Sequence, residues 1–216
     1  MNKVLAVWKN KGMTSYDIIR SIKLELDGVK IGHCGTLDPF AEGVVLICTG
    51  ENTKNIDQYM NYKKEYIASI YLGSETDTLD NTGSIIKCKQ NPDISKQDII
   101  NTLVKFEGEI DQIPPYFSAL KFKGIRLYKY ARNDIFIRKK ARKVIVEEIS
   151  FINFKDNILS FYIKCHKGTY IRSIARDIAY TLNTYGHLIK LSRTAVGPYN
   201  KDNAVSINGI NQCLNS

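Results

Sequence analysis

Paired cysteines are missing from this chain. Its five, Cys34, Cys48, Cys88, Cys165 and Cys213, are odd in number and widely scattered, with no Cys-x-x-Cys among them. That argues against a disulfide framework and a structural zinc site, and fits a reducing compartment. The three histidines, His33, His166 and His187, show no metal-ligand spacing either. A metal enzyme is not expected. Long apolar runs are also absent: no stretch approaches the roughly 20 residues needed to cross a bilayer, and Met1-Asn2-Lys3-Val4-Leu5-Ala6-Val7-Trp8 is too short and too soon charged for a secretory signal. The expectation is a cytoplasmic protein that stays off membranes. There is no internal repeat, low-complexity stretch or second domain to divide the chain. With 216 residues, 44% hydrophobic and 25% charged, it reads as a single globular domain over 1–216.

One further scarcity is local. Between Gln112 and Val146 there is a single acid, Asp134, against ten cations: Lys121, Lys123, Arg126, Lys129, Arg132, Arg138, Lys139, Lys140, Arg142 and Lys143. The other 21 basic and 21 acidic residues cancel, so the whole net charge of +9 lies in this segment. A charge run can be no more than a solvated face. Here the cations alternate with Tyr116, Phe117, Phe122, Tyr128, Tyr130 and Phe136, a mixture suited to pairing with phosphates and stacking on bases. The segment, about 112–146, is expected to be a basic RNA-binding insertion, ordered mainly when RNA is bound.

The chain is organised around Gly32-His33-Cys34-Gly35-Thr36-Leu37-Asp38-Pro39, followed by Ala41-Glu42-Gly43 and the apolar run Val44 to Cys48. Glycines at 32, 35 and 43 permit turns and close approaches, and Pro39 biases Asp38 toward extended backbone. A carboxylate is thereby held on a constrained loop before a buried strand. It serves either as a reactive group or as the acceptor of a tight turn.

Around that loop the periodicity predicts strands at Lys3–Lys9, 44–49, Lys64–Leu72, Ser84–Lys89, Lys143–Phe154, Asn157–Cys165 and His187–Ala195. Helices are predicted from Thr14, with Asp17 completing a capping box, to about Leu26. Others are expected over Glu51–Met60, after Ser95 with Asp98, over Gly124–Asn133, Tyr170–Leu182 and Val205–Leu214. Asp77 and Asp80, in a polar Thr-Asp-Thr-x-Asp stretch, are read as capped turns rather than as an acid/base or metal pair. Arg172, in a helix's first turn, runs against the helix dipole and is expected to answer a carboxylate.

Gly-His-x-Gly-Thr-Leu-Asp-Pro resembles the catalytic signature of the TruB family of tRNA pseudouridine synthases. Three more segments resemble that family in order: Lys64-Glu65-Tyr66 with Leu72-Gly73-x-x-Thr76-Asp77-Thr78-x-Asp80-x-x-Gly83; Pro114-Pro115-x-x-Ser118-Ala119-Leu120-Lys121; and Lys167-Gly168-Thr169-Tyr170-Ile171-Arg172. The resemblance implies an α+β fold, a mixed, mainly antiparallel sheet flanked by helices with a basic thumb insertion. It implies isomerisation of uridine 55 in the TΨC arm of tRNA, without a cofactor, by a monomer. It makes Asp38 the essential carboxylate, Arg172 its partner, and Tyr66, Tyr170 and Leu191 contacts to the base. His33 would hold the loop opened by base flipping; otherwise it is bonded within its own turn, as Tyr66 would otherwise be a half-buried strand residue. Phe40, Glu42, His166 and Ser192-Arg193 depart from the family pattern, the last standing where two arginines are usual. The family's small C-terminal RNA-binding domain is not expected within these residues. Two other readings stay open: a catalytically silent RNA-binding or tRNA-folding module, and an enzyme of the same class acting on another RNA.

Overall fold

The computed structural model describes residues 2–23, 26 and 28–210. The first strand, β1 (Val4–Lys9), leads to helix α1 (Ser15–Lys23), whose start is a capping box: Thr14 Oγ1 accepts from Asp17 N at 3.1 Å, and Asp17 Oδ2 from Thr14 N at 2.8 Å. Ile18, Ile19 and Ile22, spaced to share one face, are buried. Strands β2 (Ile31–His33) and β3 (Glu42–Thr49) follow, and β3 is buried from Gly43 onward. A 3₁₀ turn (Gly50–Asn55) runs into α2 (Ile56–Met60), and β4 (Lys64–Leu72) follows.

Next come the hairpin β5 (Ser74–Thr76) and β6 (Ile85–Cys88), then α3 (Lys96–Val104), which Ser95 and Asp98 cap reciprocally. Strand β7 (Gly108–Gln112) precedes a two-residue hairpin, β8 (Lys121–Phe122) with β9 (Ile125–Arg126), and the short α4 (Leu127–Ala131). The long strands β10 (Arg142–Lys155) and β11 (Ile158–Cys165) are joined through Asp156 and Asn157, both at positive φ (51° and 62°), the geometry of a tight hairpin turn. Helix α5 (Ile171–Thr181), β12 (Gly186–Val196), β13 (Tyr199–Asn200), β14 (Val205–Ser206) and a 3₁₀ turn (Ile207–Gly209) complete the described chain.

The chain forms two compact units, Met1–Ile67 with Lys190–Ser216, and Ala68–Ile189, and passes between them within β4 and β12. In the first unit β1 lies antiparallel to β3 and parallel to β14; β2 pairs with the other end of β3, and β12 runs parallel to β3 through Ser192 and Arg193. Its core holds Ala6, Cys34, Val44, Leu46, Cys48 and Val196, with Trp8, Ile56 and Tyr62 against them. In the second unit β10 lies between β11 and β7, both antiparallel to it. Alternate residues of β11, Leu159, Phe161, Ile163 and Cys165, are buried, and α3 packs against β10 with Ile99 and Leu103 inward.

Several sequence expectations shift. Of the C-terminal helix expected over Val205–Leu214, residues 205–209 are instead a strand and a 3₁₀ turn, because Val205 pairs with Val7 along the edge of β1; Ile210 is helical, and residues 211–216 lie outside those described. The helix expected at Gly124–Asn133 is cut to α4, since Lys123 (φ 48°) and Gly124 (φ 80°) turn the β8–β9 hairpin. The basic insertion narrows to 113–141: Gln112 pairs with Arg142, and Lys143 to Val146 continue that ladder against β7. Helix α1 is described over Ser15–Lys23; residues 24 and 25, toward the end expected near Leu26, lie outside those described.

Candidate functional site

In the first unit Asp38 is half-buried on the loop between β2 and β3, and the main chain on both sides of it is held by buried cations. Lys9, at the end of β1, directs Nζ to Pro39 O (3.5 Å) and Ala41 O (2.5 Å), as well as to Asn10 O (3.0 Å) and Met13 O (2.8 Å). Arg193, on β12, donates from Nε to Val44 O (2.7 Å), from Nη1 to Thr36 O (3.3 Å) and from Nη2 to Gly35 O (3.5 Å). The backbones approach closely to allow this. Gly43 lies opposite Arg193 at φ 126°, and a Cβ there would sit 2.2 Å from Arg193 O. Ser15 secures the middle of the loop, its Oγ accepting from Leu37 N at 2.9 Å, and Gly12 N donates to Pro39 O at 2.8 Å.

Burial, and secondly the charge of Arg193, pulls the Lys9 pKa down to about 8, while Asp38, Asp17 and Glu42 act in the opposite direction. Lys9 is therefore still charged at pH 7, which a buried ammonium sustains only because carbonyl oxygens surround it. Cys34, four residues before Asp38, shares a hydrogen bond with Cys48 (Sγ to Sγ 3.2 Å); that bond and burial push its thiol pKa up, so it stays protonated. Tyr66 (8% exposed, on β4) and Leu191 (on β12) are buried; His33, at the end of β2 opposite Ile47, is half-buried.

In the second unit Arg172 sits in the first turn of α5 and is 5% exposed. Its Nη1 donates to Thr78 O (2.9 Å) and lies 3.5 Å from Asp80 Oδ2; its Nη2 donates to Phe117 O (2.9 Å). The carboxylate expected to answer an arginine at that position includes Asp80. The turn that presents Asp80 is built by side chains, as expected: Asp80 Oδ1 accepts from Thr78 Oγ1 (2.8 Å) and Thr82 N (3.0 Å), and Asp77 Oδ1 from Thr78 N and Ser84 N, both at 2.9 Å. Tyr170 precedes α5, where the buried Gln112 amide takes both its backbone groups, accepting from Tyr170 N at 2.9 Å and donating to Tyr170 O at 3.2 Å. The Arg142 guanidinium covers the Tyr170 ring at 4.9 Å and donates to Gly168 O.

Of the ten cations of the basic segment, eight are exposed; Lys139 and Arg142 are half-buried. Lys139 Nζ lies 3.1 Å from the centre of the Tyr116 ring, against which Phe136 packs edge-on at 5.0 Å. Lys143 is paired with Glu109 at 2.6 Å. Among the described residues no group of three His, Cys, Asp or Glu is placed to hold a metal, and no helix is long and apolar enough to cross a membrane.

Lys9, Gln112 and Arg193 were not singled out from sequence for these contacts. Lys9 and Arg193 do carry a signal: each is in phase with the apolar residues of its own strand, Leu5 and Val7 for one, Leu191 and Ala195 for the other. Gln112 carries none.

A family model described as TruB family pseudouridylate synthase (N terminal domain) matches residues 21–171. The chain is 41% identical over 207 residues to the tRNA pseudouridine synthase B of Clostridium kluyveri, covering 96% of this chain and 71% of that one. It is 43% identical over 200 residues to the protein of the same name from Francisella tularensis subsp. tularensis, covering 92% and 66%. Among solved structures, a chain of a Cbf5-Nop10-Gar1 complex superposes with a TM-score of 0.74 at 27% identity over 97% of this chain; the chain spans about half, 53%, of that one.

Proposed function

The chain belongs to the TruB family of pseudouridylate synthases, isomerases that turn uridine into pseudouridine in tRNA, and from that premise we propose that it acts on uridine 55 of the TΨC arm with Asp38 as the essential carboxylate. The observation that carries this reading is the loop itself: a half-buried carboxylate whose flanking carbonyls, at 35, 36, 39 and 41, are all fixed by buried cations. A turn that merely reversed the chain would not need such a foundation.

The reaction breaks the N1–C1′ bond, rotates the uracil and joins C5 to C1′; the proton on C5 leaves and N1 gains one. No atom is supplied from outside, so no cofactor is called for. Asp38 must be ionised to act, and Arg172 is assigned as its counter-cation in the RNA complex. Tyr66, Tyr170 and Leu191 are assigned to the uracil, and His33 to the opened loop. Reaching a stacked base requires flipping it out, at a few kcal/mol. The exposed cations of residues 113–141, with Arg142 and Lys143, are assigned to the RNA backbone, drawing the thumb onto the tRNA. The enzyme is placed in the cytoplasm, as a monomer.

The test is tritium release from a TΨC stem-loop carrying 5-³H-uridine at the target position, comparing the native chain with Asp38→Asn under conditions where both bind. Release by the first and none by the second supports the reading. Binding without release by either makes the chain a silent RNA-binding module. Turnover that survives Asp38→Asn removes Asp38 from its role.

A further inference from the structure

Lys9 and Arg193 together place two positive charges in the interior of the first unit. Arg193 is 2% exposed and its guanidinium meets only main-chain oxygens in the hydrogen bonds given above, Val44, Thr36 and Gly35. A buried arginine usually has a carboxylate against it, because carbonyl dipoles alone offset little of its lost hydration. Here the carbonyls are those of the loop that carries Asp38. The charge of Arg193 is felt at Lys9, and that of Asp38 is felt at Lys9 as well, so the three form one electrostatic group.

The loop is spanned from both sides. Arg193 takes the carbonyls two and three residues before Asp38, Lys9 those one and three residues after it. Leu191, on the same face of β12 two residues earlier, ties this brace to the strand assigned to the base. The guanidinium reaches Val44, Thr36 and Gly35 from three separate nitrogens, a fork that a lysine at 193 would replace with a single nitrogen.

We propose that Arg193 is a positioning residue for the reaction: it fixes the direction of the Asp38 loop through the carbonyls of Gly35 and Thr36. This rests on Asp38 being the essential carboxylate. The charged groups felt at Lys9 in the same unit are Arg193 from β12, Asp38 of the loop, Asp17 from α1 and Glu42 from β3. Arg172 is the cation assigned from the second unit. Of these, Lys9 and Arg193 each join a strand directly to the loop, Arg193 on the side before Asp38.

Two substitutions test the claim. Arg193→Lys keeps the charge and loses the fork; Arg193→Gln keeps a donor and loses the charge. The measurement is the single-turnover rate of tritium release as a function of pH, with stem-loop affinity and urea stability measured alongside, and Asp38→Asn run in the same assay. For Arg193→Lys the rate should fall by about 10- to 100-fold with affinity unchanged and the acid limb of the profile in place. For Arg193→Gln, which also loses the fork, the rate should fall at least as far, with affinity again unchanged. A native rate in a folded Arg193→Lys overturns the positioning role. Should Arg193→Gln not fold, the Lys variant still decides. Lost stability with a native rate would reduce Arg193 to a structural residue. Turnover by Asp38→Asn would instead remove the premise, and is read independently of either variant.

Discussion

Replacing Asp80 by Asn isolates the charge of one buried carboxylate. The substitution keeps the side chain's volume and keeps Oδ1, which accepts from Thr78 Oγ1 and Thr82 N, so the turn over residues 77–84 should survive. What changes is Oδ2, 3.5 Å from Arg172 Nη1, where an amide replaces an anion. Asp80 is 4% exposed and Arg172 5%, so water does little to screen the loss. Removing one partner of a buried ion pair costs about 3–5 kcal/mol. Here the pair is long and the guanidinium keeps its bonds to Thr78 O and Phe117 O, so about 2 kcal/mol is the expected loss of stability. If Asp80 also aims Arg172 at the reacting complex, the single-turnover rate should fall by about 10- to 100-fold, or ~1.4–2.8 kcal/mol in the barrier. Stem-loop affinity, assigned to the basic segment, should hold. Urea unfolding and rapid-quench tritium release on Asp80→Asn, Arg172→Lys and the double variant give the coupling, expected to exceed about 1 kcal/mol. Additive effects would remove the pairing from the argument, and a native rate in the face of lost stability would confine Asp80 to the fold.

Gly43→Ala should cost more than about 3 kcal/mol, because φ of 126° is strained for any L side chain and the new Cβ would meet the Arg193 backbone O, N and C at 2.2, 2.6 and 2.8 Å; an unchanged melting temperature would show that the strands separate freely. Lys9 gives stability a definite pH dependence. Its pKa is about 8 folded against 10.5 for the free side chain, so between those values the unfolded chain holds more protons and stability rises with pH, by up to about 3 kcal/mol. The rise should vanish in Lys9→Met, and urea titrations at pH 7.5 and 10 that gave both chains the same slope would contradict it. For the basic segment, neutralising about five phosphates makes the logarithm of the RNA association constant fall with that of salt at a slope near −4. A flat curve would remove the segment from the interface.

Local patterns carried most of the fold into the sequence reading. The Thr14–Asp17 and Ser95–Asp98 boxes start their helices as expected, and Asp156-Asn157 turns its hairpin, because each rests on contacts within four residues. What escaped depends on distant partners. Strand β14 exists because Val205 finds Val7, nearly the whole chain away, and β7, with the polar sequence Gly-Glu-Ile-Asp-Gln, is a strand because β10 lies beside it.

The candidate site divides along the same line, but its missed residues are not silent. The constraint on the Asp38 loop is legible because glycines and a proline mark it. Arg172 is legible in part: an arginine against a helix dipole demands a carboxylate, and Asp80 is one it finds. Lys9 and Arg193 break a different rule, that a long cation in a strand faces water. Each occupies the apolar phase of its strand, with Ser192 and Thr194 half-exposed on either side of the buried Arg193. A charge set in the core-facing phase costs free energy wherever the interior is only packing. It persists where the buried cation has carbonyls to bind and a loop to hold, and those carbonyls here belong to the residues around Asp38. The local rule broken at positions 9 and 193 therefore marks the loop that carries Asp38.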